Sequence, residues 1–562
     1  MINEVPRLQP ARRGLSLFYH GKTLLSTIDP VGQSEKAAKT YSLKTRTLYL
    51  IVSPLFGYGI SQLLEHMPED SALIGLEVDP NLFLTTKDEF VRNIPEQVPY
   101  IATDSAEELC RFVRQKWGPR RFRRIELITL NAGWTLNEGH YISLFHALQA
   151  EISTDWANAM TLTRMGRLYT KNTLRNLSAL AKHPSIDTLH FGAVPVLLAG
   201  AGPSLDRVLS QLVKNFPGIY DKTNRPFKII CVDTALRAFL SRSIPVDLVV
   251  ALEAQIWNLK DFIGYGETDF NLAADLSAHP ETIQIAPGRS FFFFTPWTKL
   301  SFIDRLKQAG ILPVLCPPLG SVGLTAVHLA LSLTEGPIFI AGLDFSYTTE
   351  LYHTKSSPGY QRRYCGQNRL APITTDLSLF KEDQLKIIDK NGDEVLSDRS
   401  LRRYWQLFIR EFGKNPRLVD ISPSGLDLMI QRSNSSELLN QAARLSPQLL
   451  EQKSSESYTH DTLQNQTDSI AIEGDRSAAI KTLLTKELVA LTRLRALLSG
   501  EASAAAGELD RLLDYCDYLW AHFPECAAAE GQRPGTNSLS FLKRVRAELD
   551  YFIKIVELGL KN

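Results

Sequence analysis

The stretch VPVLLAGAGPSLD, residues 194–206, decides the fold. An apolar run from Val194 to Ala199 stops at Gly200-Ala201-Gly202-Pro203-Ser204, and a helix-like pattern follows. Glycine at a strand end lets the backbone turn sharply and lets a ligand approach with no Cβ in the way. The helix behind such a turn offers unpaired N–H groups and a positive dipole end to an anion. A phosphate or nucleotide is therefore the general expectation, with Ser204 either capping the helix or bonding the phosphate. An ordinary tight strand-to-helix turn is the plainer reading of a bare Gly-x-Gly.

Downstream, further apolar runs read as strands: FKIICVD (227–233), VDLVVALE (246–253), QIAPG (284–288), PVLCPP (313–318) and PIFIAGLD (337–344). Helix-like segments separate them, and GSVGLTAVHLALSLTEG opens one helix on a Gly-Ser-Val-Gly turn. Alternation of this kind predicts a parallel, doubly wound sheet. Polar groups sit at several of the strand ends: Asp233-Thr234, Glu253-Ala254-Gln255 and Asp344-Phe345-Ser346-Tyr347, with Tyr352-His353 close behind. Ligands of open α/β sheets bind beyond the carboxyl ends of the strands, so these clusters converge on one crevice. Taken singly, each acid also fits a helix cap or a salt bridge.

Upstream, TLYLIV (47–52), ALIGLEVD (72–79) and RIELITLN (124–131) predict a second parallel sheet. Gly57 and Gly59 at a strand end, with Glu77 and Asp79 ending the next strand, fit a nucleoside-binding βαβ unit. A structural or acceptor-recognition domain is the plainer reading. Residues 155–183 have helical spacing, and 431–475, rich in Ser, Gln, Asn and Glu, read as weakly structured helix and loop. Leu483, Leu484, Leu488, Leu491, Leu494 and Leu498 recur at helical spacing in the C-terminal part. The expectation is α/β, with two Rossmann-like doubly wound domains followed by a C-terminal α-helical domain. The boundaries are 1–154 for the N-terminal Rossmann-like domain, 155–190 for a helical linker, 191–430 for the central domain and 431–562 for the helical domain.

Composition narrows the function classes. The 562 residues carry a net charge of +1, which is no basic nucleic-acid footprint. No apolar run is long enough for a membrane span, and the N-terminus lacks the apolar block of a signal peptide. Six scattered cysteines without a CxxC read as reduced, mostly buried thiols of a cytoplasmic protein. Neither zinc-ligand spacing nor a Ser-His-Asp signature is found. FFFF (291–294) reads as buried strand, and RQKWGPRRFRR as a solvated basic surface, with a patch for an acidic partner as the alternative.

GAGPSLD, CVDTALRAFLSRSIPVDLVVALE, GSVGLTAVHLAL and IFIAGLDFSYTTELYH, in that order, resemble the motility-associated-factor (Maf-type) flagellin glycosyltransferases of bacteria. The central domain of that family is similar to an archaeal hydroxymethylpterin pyrophosphokinase and to bacterial sialyltransferases. The resemblance covers roughly residues 40 to 430 and is strongest from 190 to 360. It implies transfer of a nonulosonic acid, of pseudaminic or legionaminic type, from a CMP-activated donor to Ser or Thr hydroxyls of flagellin. Gly200, Gly202, Pro203, Ser204 and Leu205 match the nucleotide-binding loop, and Asp233 and Thr234 match the second strand end near the nucleotide. Ser321, Val322, Gly323 and Thr325 match a turn that lies near donor sugar and cytidine. Asp344, Ser346 and Tyr347 match the family's strand-end cluster, which Tyr352 and His353 follow; this segment is expected to hold the catalytic groups. The chain has Glu253-Ala254 where many relatives have Asp-Pro. The sialyltransferases place a histidine base well downstream, and here no histidine occurs between His353 and His460. His353 is thus the nearest candidate base and a carboxylate such as Glu253 the fallback. No cofactor is implied beyond the CMP-sugar substrate, and metal dependence is left open. The alternatives are ATP- and Mg²⁺-dependent pyrophosphoryl transfer to a pterin, and a non-catalytic assembly factor that binds flagellin through its outer domains.

Overall fold

Runs of alternating apolar side chains that are buried on both sheet faces set the architecture. In a computed structural model, whose described residues are 5–118, 120–263, 269–349, 351–372, 383–444, 461–529 and 532–561, the chain forms two compact units. One comprises Met1–Arg164 with Ala521–Arg533, the other Met165–Trp520 with Pro534–Asn562.

The first unit holds a four-stranded parallel sheet in the order Tyr100–Ala102, Ala72–Glu77, Thr47–Val52, Arg124–Ile128. Along Thr47–Val52 every residue is buried, and the two faces divide by the period of two. Leu48, Leu50 and Val52 pack with Leu109 and Tyr141, whereas Tyr49 and Ile51 pack with Ile60, Leu63 and Phe90. Helices thus cover both faces, as a parallel sheet requires. Asp79 starts the helix Pro80–Asn93 by accepting the N–H groups of Asn81 and Leu82, and Ser105 caps Ala106–Trp117 in the same way. The three strands read from sequence are present. The short strand Tyr100–Ala102 and a three-stranded antiparallel sheet, Arg7–Pro10, Leu15–Tyr19 and Lys22–Thr23, add to them.

The second unit holds an eight-stranded, wholly parallel sheet. Its order is Ser290–Phe293, Asn271–Asp275, Leu248–Ala251, Lys228–Val232, Val196–Ala199, Ile338–Ala341, Leu418–Asp420, Gln431–Arg432. From Val196–Ala199 the chain adds strands in one direction as far as Ser290–Phe293. It then crosses back, and Ile338–Ala341 pairs on the other side of Val196–Ala199. The order therefore reverses between these two strands, which is where a doubly wound sheet opens a crevice.

Two strands expected from sequence are corrected. QIAPG contributes Gln284 and Ile285 to the helix Pro280–Ile285, which Pro280 opens at its first turn behind the His279 cap. The phenylalanine run, expected to be buried strand, supplies Phe291–Phe293 of the strand Ser290–Phe293, which lies at the sheet edge. PVLCPP makes only a single parallel bridge, Leu315 to Phe294, because Pro313, Pro317 and Pro318 have no N–H to continue a ladder. The strand Asn271–Asp275, from NLAAD, fills the vacated place.

A helix spans Glu138–Leu180, beginning upstream of the expected linker. Beyond residue 430 lie the strand Gln431–Arg432, a helix over 435–444 and the helices Asp461–Ser499, Glu508–Tyr515 and Leu539–Lys561. The rest of the stretch read as helix and loop, 445–460, lies outside the described residues. Leu484, Leu491 and Leu494 are buried, as are Val545, Leu549, Phe552 and Val556 on the last helix, which packs on Asp461–Ser499. Among the described residues none of the six cysteines is in a disulfide, and four are buried. No helix of the described residues is long and apolar enough to cross a membrane.

Candidate functional site

The Gly200 turn lies at the sheet's switch point, and its glycines are explained by the neighbouring strand. A Cβ on Gly200 would stand 2.5 Å from the carbonyl oxygen of Gly342 and 2.5 Å from a methyl of Leu343. One on Gly202 would stand 2.6 Å from the Asp344 carboxylate and 2.7 Å from the Gly342 oxygen. Gly342 itself turns at φ +69°, a conformation natural to glycine. The two strand ends are therefore pressed together. Gly200 N–H donates to Ala341 O at 2.8 Å, and Gly202 N–H to Gly342 O at 2.8 Å.

Asp344 is the clamp between them. It is buried, and its carboxylate accepts the backbone N–H of Ser204 at 2.7 Å and the Ser204 hydroxyl. Burial pushes its pKa up to about 6, against the pull of the Ser204 hydrogen bonds and the Lys390 charge. Ser204 makes no side-chain cap on the helix Leu205–Asn215, and its N–H and O–H both point to Asp344. Leu205 is fully buried, and its N–H returns to Gly202 O. The amides of Gly200, Gly202, Ser204 and Leu205 are thus engaged inside the protein, so the turn is not the open cradle of N–H groups that its sequence suggests. Pro203 stays half-buried at its rim.

The Gly-Ser-Val turn meets the same place. Ser321 precedes the helix Val322–Leu333 in an extended conformation, without a side-chain cap bond. A Cβ on Gly323 would lie 2.7 Å from the Leu343 methyl that crowds Gly200. Leu343 therefore packs against both turns. The Thr325 hydroxyl, on the first turn of that helix, is buried without a hydrogen-bond partner.

One strand over, buried Asp233 accepts the N–H and hydroxyl of Thr234 and the side-chain amide of Asn258. Burial, reinforced by the charge of Asp261, pushes its pKa up to about 7. Glu253, exposed at the next strand end, accepts the N–H of Gln255 at 2.9 Å.

The segment after Asp344 folds back in an aromatic row. Phe345 takes a left-handed turn at φ +49°. Ser397 donates its hydroxyl to Phe345 O, and Ser346 is buried. Tyr347, buried, exchanges backbone hydrogen bonds with Leu396 of the hairpin Leu385–Ile388 and Glu394–Ser397. Its ring lies 4.6 Å from that of Tyr352, which meets His353 edge-on at 4.8 Å. Tyr352 donates to Asp398, the cap of the helix Arg399–Phe412. Thr354 N–H then bonds Ala201 O, returning the segment to the Gly200 turn.

Sequence reasoning missed three contributors. Asn172 and Asn176, buried on the helix Glu138–Leu180, grip the carbonyls of Ala254 and Ser277 and of Leu276 and Ala278. Asp275, buried at the end of the unrecognised strand, accepts the N–H and hydroxyl of Ser277 and the N–H of Thr295. The Asn-x₃-Asn spacing places both asparagines on one helix face and was the available signal.

The N-terminal unit uses its acids internally. Glu77 accepts from Ser53, Tyr141 and the amides of Val78 and Asp79, while Asp79 caps a helix. A Cβ on Gly57 would strike Ile94, and one on Gly59 the Ser34 carbonyl. Packing explains these residues, in line with the structural reading. A separate groove of about 460 Å³ lies among the C-terminal helices, lined by Val489, Ala490, Leu512 and Tyr515 with Lys486 and Arg511 at its edge. It shares no residue with the switch-point crevice. Among the described residues no group of three His, Cys, Asp or Glu side chains could hold a metal ion.

Residues 171–350 match the family described as 6-hydroxymethylpterin diphosphokinase MptE-like. A protein of Treponema pallidum (strain Nichols), described as uncharacterized, is 30% identical over 575 residues, covering 98% of this chain and 95% of the relative. The solved structure of MAf glycosyltransferase from Magnetospirillum magneticum AMB-1 aligns with a TM-score of 0.52 at 13% identity, over 99% of this chain and 92% of that one. At that identity the likeness shows a shared fold. Both the family match and the structural match agree with the Maf-type resemblance of the motifs.

Proposed function

We propose that this chain, which belongs to one family with the Treponema pallidum protein, is a glycosyltransferase that moves a nonulosonic acid from a CMP-activated donor to Ser or Thr hydroxyls of flagellin. One observation carries the reading: Gly200, Gly323 and Gly342–Asp344 meet at Leu343, at the switch point of a doubly wound sheet. The fold shared with the Magnetospirillum enzyme supports it.

The chemistry is inverting displacement at the anomeric carbon, with CMP leaving through its phosphate. Developing negative charge needs donors fixed in advance. The amides of the Gly200 turn are engaged, so the start of the helix Val322–Leu333 takes this task. Its first turn has no side-chain cap, its dipole is positive there, and the Thr325 hydroxyl is unpartnered. Asp344 is a positioning residue that fixes the Gly200 turn through Ser204. His353, oriented by Tyr352, takes the acceptor proton, and Glu253 is the alternative base. The acceptor docks on the outer parts of the chain, for which the apolar groove of the C-terminal helices is available.

The MptE-like match favours a second reading, pyrophosphoryl transfer from ATP to a pterin with Mg²⁺ near Asp233 and Asp344. Isothermal titration separates the two. Binding of CMP without ATP supports glycosyl transfer, and Mg²⁺-dependent ATP binding without CMP overturns it.

A further inference from the structure

The helix Asp461–Ser499 carries more apolar surface than its packing uses. Leu484, Leu491 and Leu494 are buried, on the helix that packs against Leu539–Lys561. Val489 is 65% exposed and belongs to a second strip. Thr485, Val489 and Arg493 follow at four-residue steps, and Lys486 and Ala490 do the same, so the five share one helix face. On the helix Glu508–Tyr515, Glu508, Arg511, Leu512 and Tyr515 share a face by the same rule. The two helices pack together, and these two faces line the groove of about 460 Å³. Arg493 joins Glu508 at one end, and Tyr515 meets Glu487 at the other, so the helices run antiparallel along it.

The groove is apolar along its floor and cationic along both rims. Lys486 stands on one helix and Arg511 on the other, both exposed, and neither is in an ion pair among the described residues. Arg493 is already neutralised, because its Nε and Nη2 donate to the two carboxylate oxygens of Glu508 at 2.7 and 3.0 Å. Glu508 also accepts the N–H of Ala505, and its charge reaches Arg511 only at longer range. Asp510 and Asp514 do not line the groove. Lys486, Arg493 and Arg511 thus face the single carboxylate of Glu508, an excess of positive charge in a chain whose net charge is only +1. The exposure of Val489 makes the groove too open for a small molecule, whose pockets bury most of the ligand. Its concave form between two helices fits a rod rather than a flat lipid surface. From Lys486 to Arg493 it runs roughly 10 Å, about two helical turns. That length takes apolar anchors at i, i+3 or i+4, and i+7 of a docked helix.

We infer that this groove docks an acidic amphipathic helix of a partner protein. The apolar side chains of that helix lie on Val489, Ala490, Leu512 and Tyr515, and its flanking carboxylates face Lys486 and Arg511. On the flagellin reading, on which the partner's identity rests, the helix belongs to the acceptor. The groove shares no residue with the switch-point crevice, so a change in it alters docking without touching the groups assigned to transfer.

The test uses the full chain and two synthetic peptides of about 20 residues, long enough to form a helix. Both carry leucine at i, i+3 and i+7 on an alanine background, flanked by glutamate in one and by lysine in the other. The variants are the double reversal Lys486→Glu with Arg511→Glu, and Val489→Asp. All three positions are exposed, so the melting temperature should match wild type. Wild type should bind the glutamate peptide about tenfold or more tighter than the lysine peptide, with affinity that falls as salt rises. Each variant should lose about tenfold or more of that affinity. Equal affinity for the two peptides, binding of neither, or variants that bind the glutamate peptide as wild type does would overturn the inference. Phosphatidylglycerol vesicles, bound by wild type and released by the variants while both peptides are ignored, would assign the groove to lipid and overturn it as well. Monomeric flagellin then tests the partner's identity. Weaker binding by the same variants supports the acceptor assignment. Flagellin held equally by all three proteins, or by none, removes flagellin from the groove, while the peptide result still upholds the docking of an acidic helix.

Discussion

Ser204 and Asp344, 140 residues apart in the chain, are joined by two hydrogen bonds from one residue's N–H and O–H to the other's carboxylate. The link ties the first strand of the central sheet to the strand that reverses its order. Asp344→Ala leaves both donors without a partner in a buried place, and should lower stability by about 1–3 kcal/mol. Asp344→Asn keeps one acceptor and can donate to the Ser204 oxygen, so its loss should be smaller. Denaturant titration of the two variants checks the order; equal loss, or none, would show that the clamp contributes nothing.

The glycines of the turn make a second prediction. A methyl at position 202 must displace the Asp344 carboxylate or the Gly342 carbonyl, so Gly202→Ala should lower the melting temperature, and Gly202→Val more so. The room left by the missing Cβ, read from sequence as an approach for a ligand, is taken by the neighbouring strand end. Gly359, in the helix Pro358–Gly366, has nothing within 4 Å of its Cβ position. Gly359→Ala should therefore stabilise by about 0.5–1 kcal/mol through helix propensity. Thermal melts showing both variants alike would contradict the packing account.

Much of this was legible in the chain. The apolar run before Gly200 and the Gly-rich turn correctly located the first strand of the sheet. Gly323, placed by the family resemblance, and Asp344, placed at the end of an apolar strand, both lie beside that turn. The role of the glycines was not legible, since GAGPS reads the same whether a phosphate or the next strand fills the space. NLAAD was overlooked because it is short and alanine-rich, and with it went Asp275. QIAPG resembled a short apolar strand; Pro280 makes Gln284 and Ile285 the end of a helix. Asn172 and Asn176 act across a distance in sequence that periodicity does not encode.

Stability should depend on pH through Asp233. Burial and the Asp261 charge raise its pKa in the folded protein to about 7, above the ordinary carboxylate value near 3.9 of an unfolded chain. Between those values the folded state binds more protons, so this contribution is full at acid pH and is lost as pH rises through about 7. Melting temperature should decline from pH 5 to pH 8 on this account, and Asp233→Asn should flatten the decline. An identical slope in wild type and variant would remove Asp233 as the cause.

The choice of base is open to a direct kinetic comparison. If His353 takes the acceptor proton, His353→Ala should lower the transfer rate by about 100-fold or more with CMP affinity preserved. Glu253→Gln should then have little effect on that rate. The reverse pattern would move the role to Glu253, at the end of the strand Leu248–Ala251.

The central claim is glycosyl transfer to flagellin, and its most direct measurement is the intact mass of purified flagellin after incubation with this protein and a CMP-nonulosonic acid. The account predicts a mass increase of one or more whole sugar residues, lost when the CMP-sugar is omitted. Flagellin of unchanged mass, in the presence of a folded protein that binds the donor, would contradict it.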